Sequence, residues 1–154
     1  MLGRIEEGLR PALDATGTPS ERLLRALDSL VDALAEHPTT ARLLLRGLFE
    51  DDAFPLELGP EGDTVERRLA GLIGGIEALL REGIEQGEFR PVSIPHTMQT
   101  LIGATVYHFA SGEFGEGLIG GSLFSAEEVR RRKEELRAIL NHGLMTREED
   151  AWKS

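Results

Sequence analysis

Histidines and carboxylates carry most of the chemical capacity of this chain, because its 154 residues include no cysteine. That excludes disulfides, thiolate nucleophiles and thiolate metal sites together. The four histidines are His37, His96, His108 and His142. His96 and His108 fall on one expected helix, roughly 18 Å apart along its axis and about 120° apart around it, so they cannot share a metal. No H-E-x-x-H pair occurs, and no metal site is expected. His108 differs from the rest: it sits in Val106-Tyr107-His108-Phe109, deep in an apolar stretch where an unpaired imidazole is costly. A partner is expected for it, in a ligand, a carboxylate or another chain.

The carboxylate clusters Asp51-Asp52 and Glu148-Glu149-Asp150 lie in polar surroundings. General acid–base work needs a carboxyl in a pocket with a shifted pKa, which solvated loops do not supply. No nucleophile elbow is present. Residues 115–120, GEGLIG, match G-x-G-x-x-G, but a helix precedes them and a loop follows, and Glu113 and Glu116 would repel a pyrophosphate. No catalytic residue, cofactor or enzymatic activity is therefore expected. The aromatics offer a different chemistry. Phe49, Phe54 and Tyr107, with Ile76 and His108, stand where three expected helices could enclose a pocket for a small apolar or aromatic ligand; plain core packing is the simpler reading of the same residues.

The elements that must position these residues are helices. Residues 63–84 carry Val65, Leu69, Leu72, Ile73, Ile76, Leu79, Leu80 and Ile84 at i, i+3, i+4, i+7 spacing. Asp63 with Glu66 predicts a capping box at its start, and Gly87 a left-handed stop at its end. Ahead of it, residues 2–13 make a short helix with Pro11 as a kink or restart. Thr18-Pro19-Ser20-Glu21 opens a second helix that His37-Pro38 ends, and residues 39–50 form a third. After it come a fifth helix over residues 94–110, a glycine-rich loop over 111–124, and a sixth helix from the Ser125–Glu128 capping box to about residue 145. No stretch alternates with period two. The expectation is an all-α fold of six helices in one domain, residues 1–145, with a polar tail over 146–154.

The net charge is −10 and the pI about 4.9, so no basic footprint for phosphates is visible. Arg130-Arg131-Arg132-Lys133 is followed at once by Glu134-Glu135 and reads as a solvated, ion-paired helix face. The charged start is no signal peptide, and no run approaches the roughly twenty apolar residues of a membrane span. A cytoplasmic protein is the expectation.

Residues 81–90, REGIEQGEFR, resemble the end of the long central helix of TetR-family transcriptional regulators. Residues 34–51, LAEHPTTARLLLRGLFED, are similar to that family's passage of helix, His-Pro and helix. Residues 1–15 look like the end of the helix linking the family's two halves, and 94–110 and 125–144 like its two final helices. The resemblance implies the ligand-binding and dimerisation half of a repressor, with its last two helices forming a four-helix bundle with a partner chain and a small-molecule effector bound inside. It departs from the family in one respect: nothing here resembles the helix-turn-helix, so DNA would be read only through a module this sequence does not show.

The residues fit a homodimer on their own terms. Val129, Leu136, Ile139, Leu140 and Gly143 make a narrow seam on the last helix. The fifth helix is apolar nearly all round and needs cover on every side, with Gly103 and Val106 at the expected contact. The competing expectation is a stand-alone helical interaction protein with neither ligand nor DNA.

Overall fold

The second helix begins as its sequence requires. In the computed structural model, which describes residues 2–49 and 59–146, the Thr18 hydroxyl accepts from the Glu21 N–H and the Glu21 carboxylate accepts from the Thr18 N–H. With Pro19 in the first turn, this opens α2, Pro19–Glu36. It packs against α1, Leu2–Asp14, which runs unbroken through Pro11. After His37 the chain turns straight into α3, Pro38–Phe49.

The central helix α4 spans Gly59–Glu85. It starts ahead of Asp63, so Asp63 and Glu66 lie within the helix and are not its cap. Its C-terminus follows the expected stop. Gly87 takes a left-handed φ of 75°, which glycine adopts without the penalty of a Cβ. The Phe89 N–H then donates back to the Gly83 carbonyl at 3.0 Å. Phe89 is 1% exposed because Gly83 leaves room for its ring.

The Glu88 carboxylate reaches across to α2 and accepts from both the N–H and the hydroxyl of Ser20, at 2.9 and 2.6 Å. That satisfies a first-turn donor which the helix itself leaves free. Arg22 and Glu82 pair at 2.9 Å beside it. The REGIEQGEFR segment is thus a joint between α4 and α2 as well as a helix stop.

Helices α5, Ile94–Ala110, and α7, Ala126–Gly143, complete the bundle. The core runs through Ile5, Leu9, Leu23, Val31, Leu34, Leu79, Leu80 and Phe109. Among the described residues strand pairing is limited to one isolated antiparallel bridge, Phe89 with Met145, which ties the end of α7 to the turn after α4.

Among the described residues the six expected helices become seven. The glycine-rich stretch expected as a loop holds α6, Glu113–Ile119. Three of its glycines have geometric reasons. Gly112 and Gly120 sit at its ends with φ of 57° and 74°. Gly115 is so close to Ser111 that a Cβ would lie 2.0 Å from its hydroxyl. Glycine's poor helix propensity hid an element that its lack of a side chain makes possible.

Candidate functional site

Helix α5 divides its residues between two surroundings. Met98, Leu101, Thr105, Val106 and Phe109 are buried, and the Thr105 hydroxyl is satisfied by donating to the Leu101 carbonyl at 2.7 Å. Tyr107, on the opposite side, is 52% exposed, and a Cβ on Gly103 would meet open space. Helix α7 divides in the same way. Leu136 and Leu140 are buried, while Ile139 is 62% exposed and Gly143 stands on the surface.

Polar contacts fix that orientation. Lys133 pairs with Asp32 of α2 at 2.5 Å, and Arg137 pairs with Asp28 one turn away. Arg132 donates to the Ala104 carbonyl of α5 at 2.5 Å. The basic run expected as a solvated face is therefore only half solvated. Arg130 and Arg131 pair with exposed glutamates of their own helix, but Arg132 and Lys133 bolt α7 onto its neighbours.

The expected seam changes accordingly. Val106, Leu136 and Leu140 belong to the chain's own core, and Val129 is half-buried. Ile139 and Gly143 remain outward beside the exposed Glu135, while Leu136 and Leu140 turn inward, so the expected seam divides between two faces. The sequence alone did not separate the two, because an apolar stripe on a helix does not say whether its own chain or a partner covers it.

Two depressions flank this face. A groove of about 460 Å³ lies at the α5 N-terminus and α7 C-terminus, lined by Pro91, Val92, Thr97, Thr100, Ile139 and Gly143 among others. A recess of about 220 Å³ lies at the other end, where α6 covers the junction of α5 and α7; Tyr107, His108, Phe114, Leu118 and Arg132 line it.

The structure thus brings Tyr107 and His108 together, but with α6 and α7. Ile76 is buried in the core and does not line this recess. Phe54 lies outside the described residues, as does the side chain of Phe49. Sequence reasoning missed Phe114, Leu118, Ile119 and Arg132. The signal for the first three was the apolar i, i+4, i+5 spacing in EFGEGLI, between two glycines with turn geometry.

His108 sits in a perturbing environment. Burial, and secondly the Arg132 charge, lower its pKa from 6.5 to about 4, so the ring is neutral at pH 7. It meets Phe109 edge-on with centroids 4.8 Å apart. Its Nε2 is buried without a hydrogen-bond partner, as is the Nε of Arg132. At the α2–α3 junction, the Thr40 hydroxyl and the His37 Nε2 are likewise buried and unpartnered.

Among the described residues no three His, Asp or Glu side chains converge as a metal site. His96 instead bonds the Ser93 hydroxyl through Nδ1 at 2.7 Å. No described helix is long and apolar enough to cross a membrane.

Comparison with known proteins agrees with this architecture. Residues 19–139 match the family described as tetracyclin repressor-like, C-terminal domain. The fold is similar to that of the ketosteroid transcriptional regulator KstR2 of Mycobacterium tuberculosis, with a TM-score of 0.72 and 21% identity, over 95% of this chain and 68% of that one. Among curated proteins no match was found.

Proposed function

The chain belongs to the family of tetracyclin repressor-like C-terminal domains, and from that premise we propose that it is the effector-binding and dimerisation half of a repressor. It pairs with a second copy through the outward faces of α5 and α7, and it holds a small apolar or aromatic effector in its helical interior. The effector's unequal affinity for two arrangements of the dimer sets the size of the switch.

One observation carries the dimer. Among the described residues the large apolar side chains with substantial exposure are Leu43, Tyr107, Phe114, Leu118, Ile119 and Ile139, and all but Leu43 lie on the α5–α6–α7 side. An apolar concentration of that kind marks an interaction surface.

The effector reading draws on the opposite side of α5, where α3 packs. Thr40, on α3, is 1% exposed, and its hydroxyl has no partner. A buried polar group without a hydrogen bond is costly, and an effector with one polar atom on an apolar body would satisfy it. Ile76 is also buried in the core. Tyr107 and His108 line the separate recess beside α6.

Thermal-shift titration tests the reading, and a ketosteroid is a reasonable first probe given the description of the structural neighbour. An effector held by Thr40 stabilises the unmodified chain and loses that effect in Thr40→Val. An equal shift in both proteins contradicts the assignment of Thr40.

A further inference from the structure

The exposed apolar side chains are not spread evenly over the outward face. At the α5 C-terminal end, Tyr107, Phe114 and Leu118 are 52%, 63% and 72% exposed. At the other end stands the 460 Å³ groove, with Val92, Thr97, Ile139 and Gly143 on its walls. One end of the face carries projecting knobs and the other a hollow. Between them, α5 and α7 present small or polar groups, among them Gly103 and Glu135.

That middle section is poor material for a stable dimer by itself. Permanent interfaces are rich in apolar area, and their binding energy gathers on a few buried aromatic and large apolar anchors. On this face the anchors sit mainly on α6, which is continuous with α5 and α7 through the recess that Ala104, Tyr107 and Arg132 share with it.

We infer that α6 is the anchor of the homodimer, and that Phe114 and Leu118 of one copy seat in the groove beside Ile139 and Gly143 of the second copy. A two-fold axis makes one patch self-complementary, so every contact occurs twice. With knobs and hollow at opposite ends of one face, an antiparallel pairing about an axis near Gly103 fills both grooves at once. Gly103 is the tenth of the 17 residues of α5, and the open space beside it lets the two copies of the helix approach closely. Closure of α6 over the partner also removes from water the recess that holds the unpartnered nitrogens of His108 and Arg132. This arrangement rests on the dimer proposed above.

The absence of cysteine permits a direct test. In sedimentation equilibrium, Phe114→Ser with Leu118→Ser is expected to weaken the dimer about a hundredfold or more. Both side chains are exposed in the single chain, so circular dichroism should be unchanged. Thr97→Cys with Leu118→Cys, under mild oxidant, is expected to give a covalent dimer that neither single variant gives. A dimer whose affinity is unaffected by the double serine change overturns the role of α6 and leaves the α5–α7 pairing standing. Cross-linking by Leu118→Cys alone places α6 on the axis and overturns the knob-in-groove arrangement. A monomeric unmodified chain overturns both readings.

Discussion

Phe89 lies directly over the bare backbone of Gly83: a Cβ built on that glycine would come within 2.2 Å of the ring. The contact explains why a glycine sits on a helix face that must meet an aromatic six residues later. It also makes a sharp prediction. Gly83→Ala improves helix propensity by up to about 1 kcal/mol, yet it must displace a fully buried ring, and overpacking of that kind costs about 1–3 kcal/mol. Urea denaturation should show a net loss of stability. A gain would mean that Phe89 has room to move.

Thr40→Val should behave in the opposite way. The change keeps the side-chain shape and removes a buried hydroxyl that lacks a partner. Relief of that desolvation is expected to stabilise the effector-free protein by about 1 kcal/mol. A loss of that size in thermal denaturation would show that the hydroxyl is hydrogen-bonded.

The two faces of α7 should separate cleanly under mutation. Leu136 is 5% exposed, so Leu136→Asp buries a charge in the core and should unfold the chain at ordinary temperature. Ile139→Asp places the same charge on the outward face. It should leave a folded monomer, with circular dichroism preserved and the sedimenting mass halved. If both variants unfold, Ile139 belongs to the chain's own core.

The pH dependence follows from His108. Its pKa is lowered to about 4, so between roughly 6.5 and 4 the unfolded chain binds a proton that the folded chain does not. The contribution of neutral His108 is therefore fully present above pH 6.5 and is lost as pH falls toward 4. The ring is only half-buried, and solvent screening should hold the effect below about 2 kcal/mol. His108→Asn cannot titrate. The stability of the unmodified chain relative to this variant should fall between pH 7 and pH 4, and a constant difference would contradict the shift.

The residues that carry strong local rules were readable from sequence. Thr18 and Glu21 form the expected capping box, Gly87 the expected left-handed stop, and residues 81–90 the motif that pointed to the family now matched. What was misread depended on tertiary context. Asp63 looked like a cap because its side chain suits one, but the helix extends past it to Gly59. Helix α6 was hidden because Gly115 and Gly117 lower its propensity, while the reason for Gly115 is a contact with Ser111 that appears only in the fold. Leu136 and Leu140 fit a partner-facing seam by spacing but are 5% and 6% exposed in the single chain, because periodicity gives the direction of an apolar face and not its neighbour. The ion pairs of Lys133 and Arg137 with α2 settle that direction, and they join residues about a hundred positions apart.

Sedimentation equilibrium of the unmodified chain at micromolar concentration tests the central claim most directly. The account predicts a single species of twice the 16.9 kDa chain mass, because it covers the apolar groups on the outward face of α5, α6 and α7 with a second copy. A well-folded monomer at that concentration would contradict it.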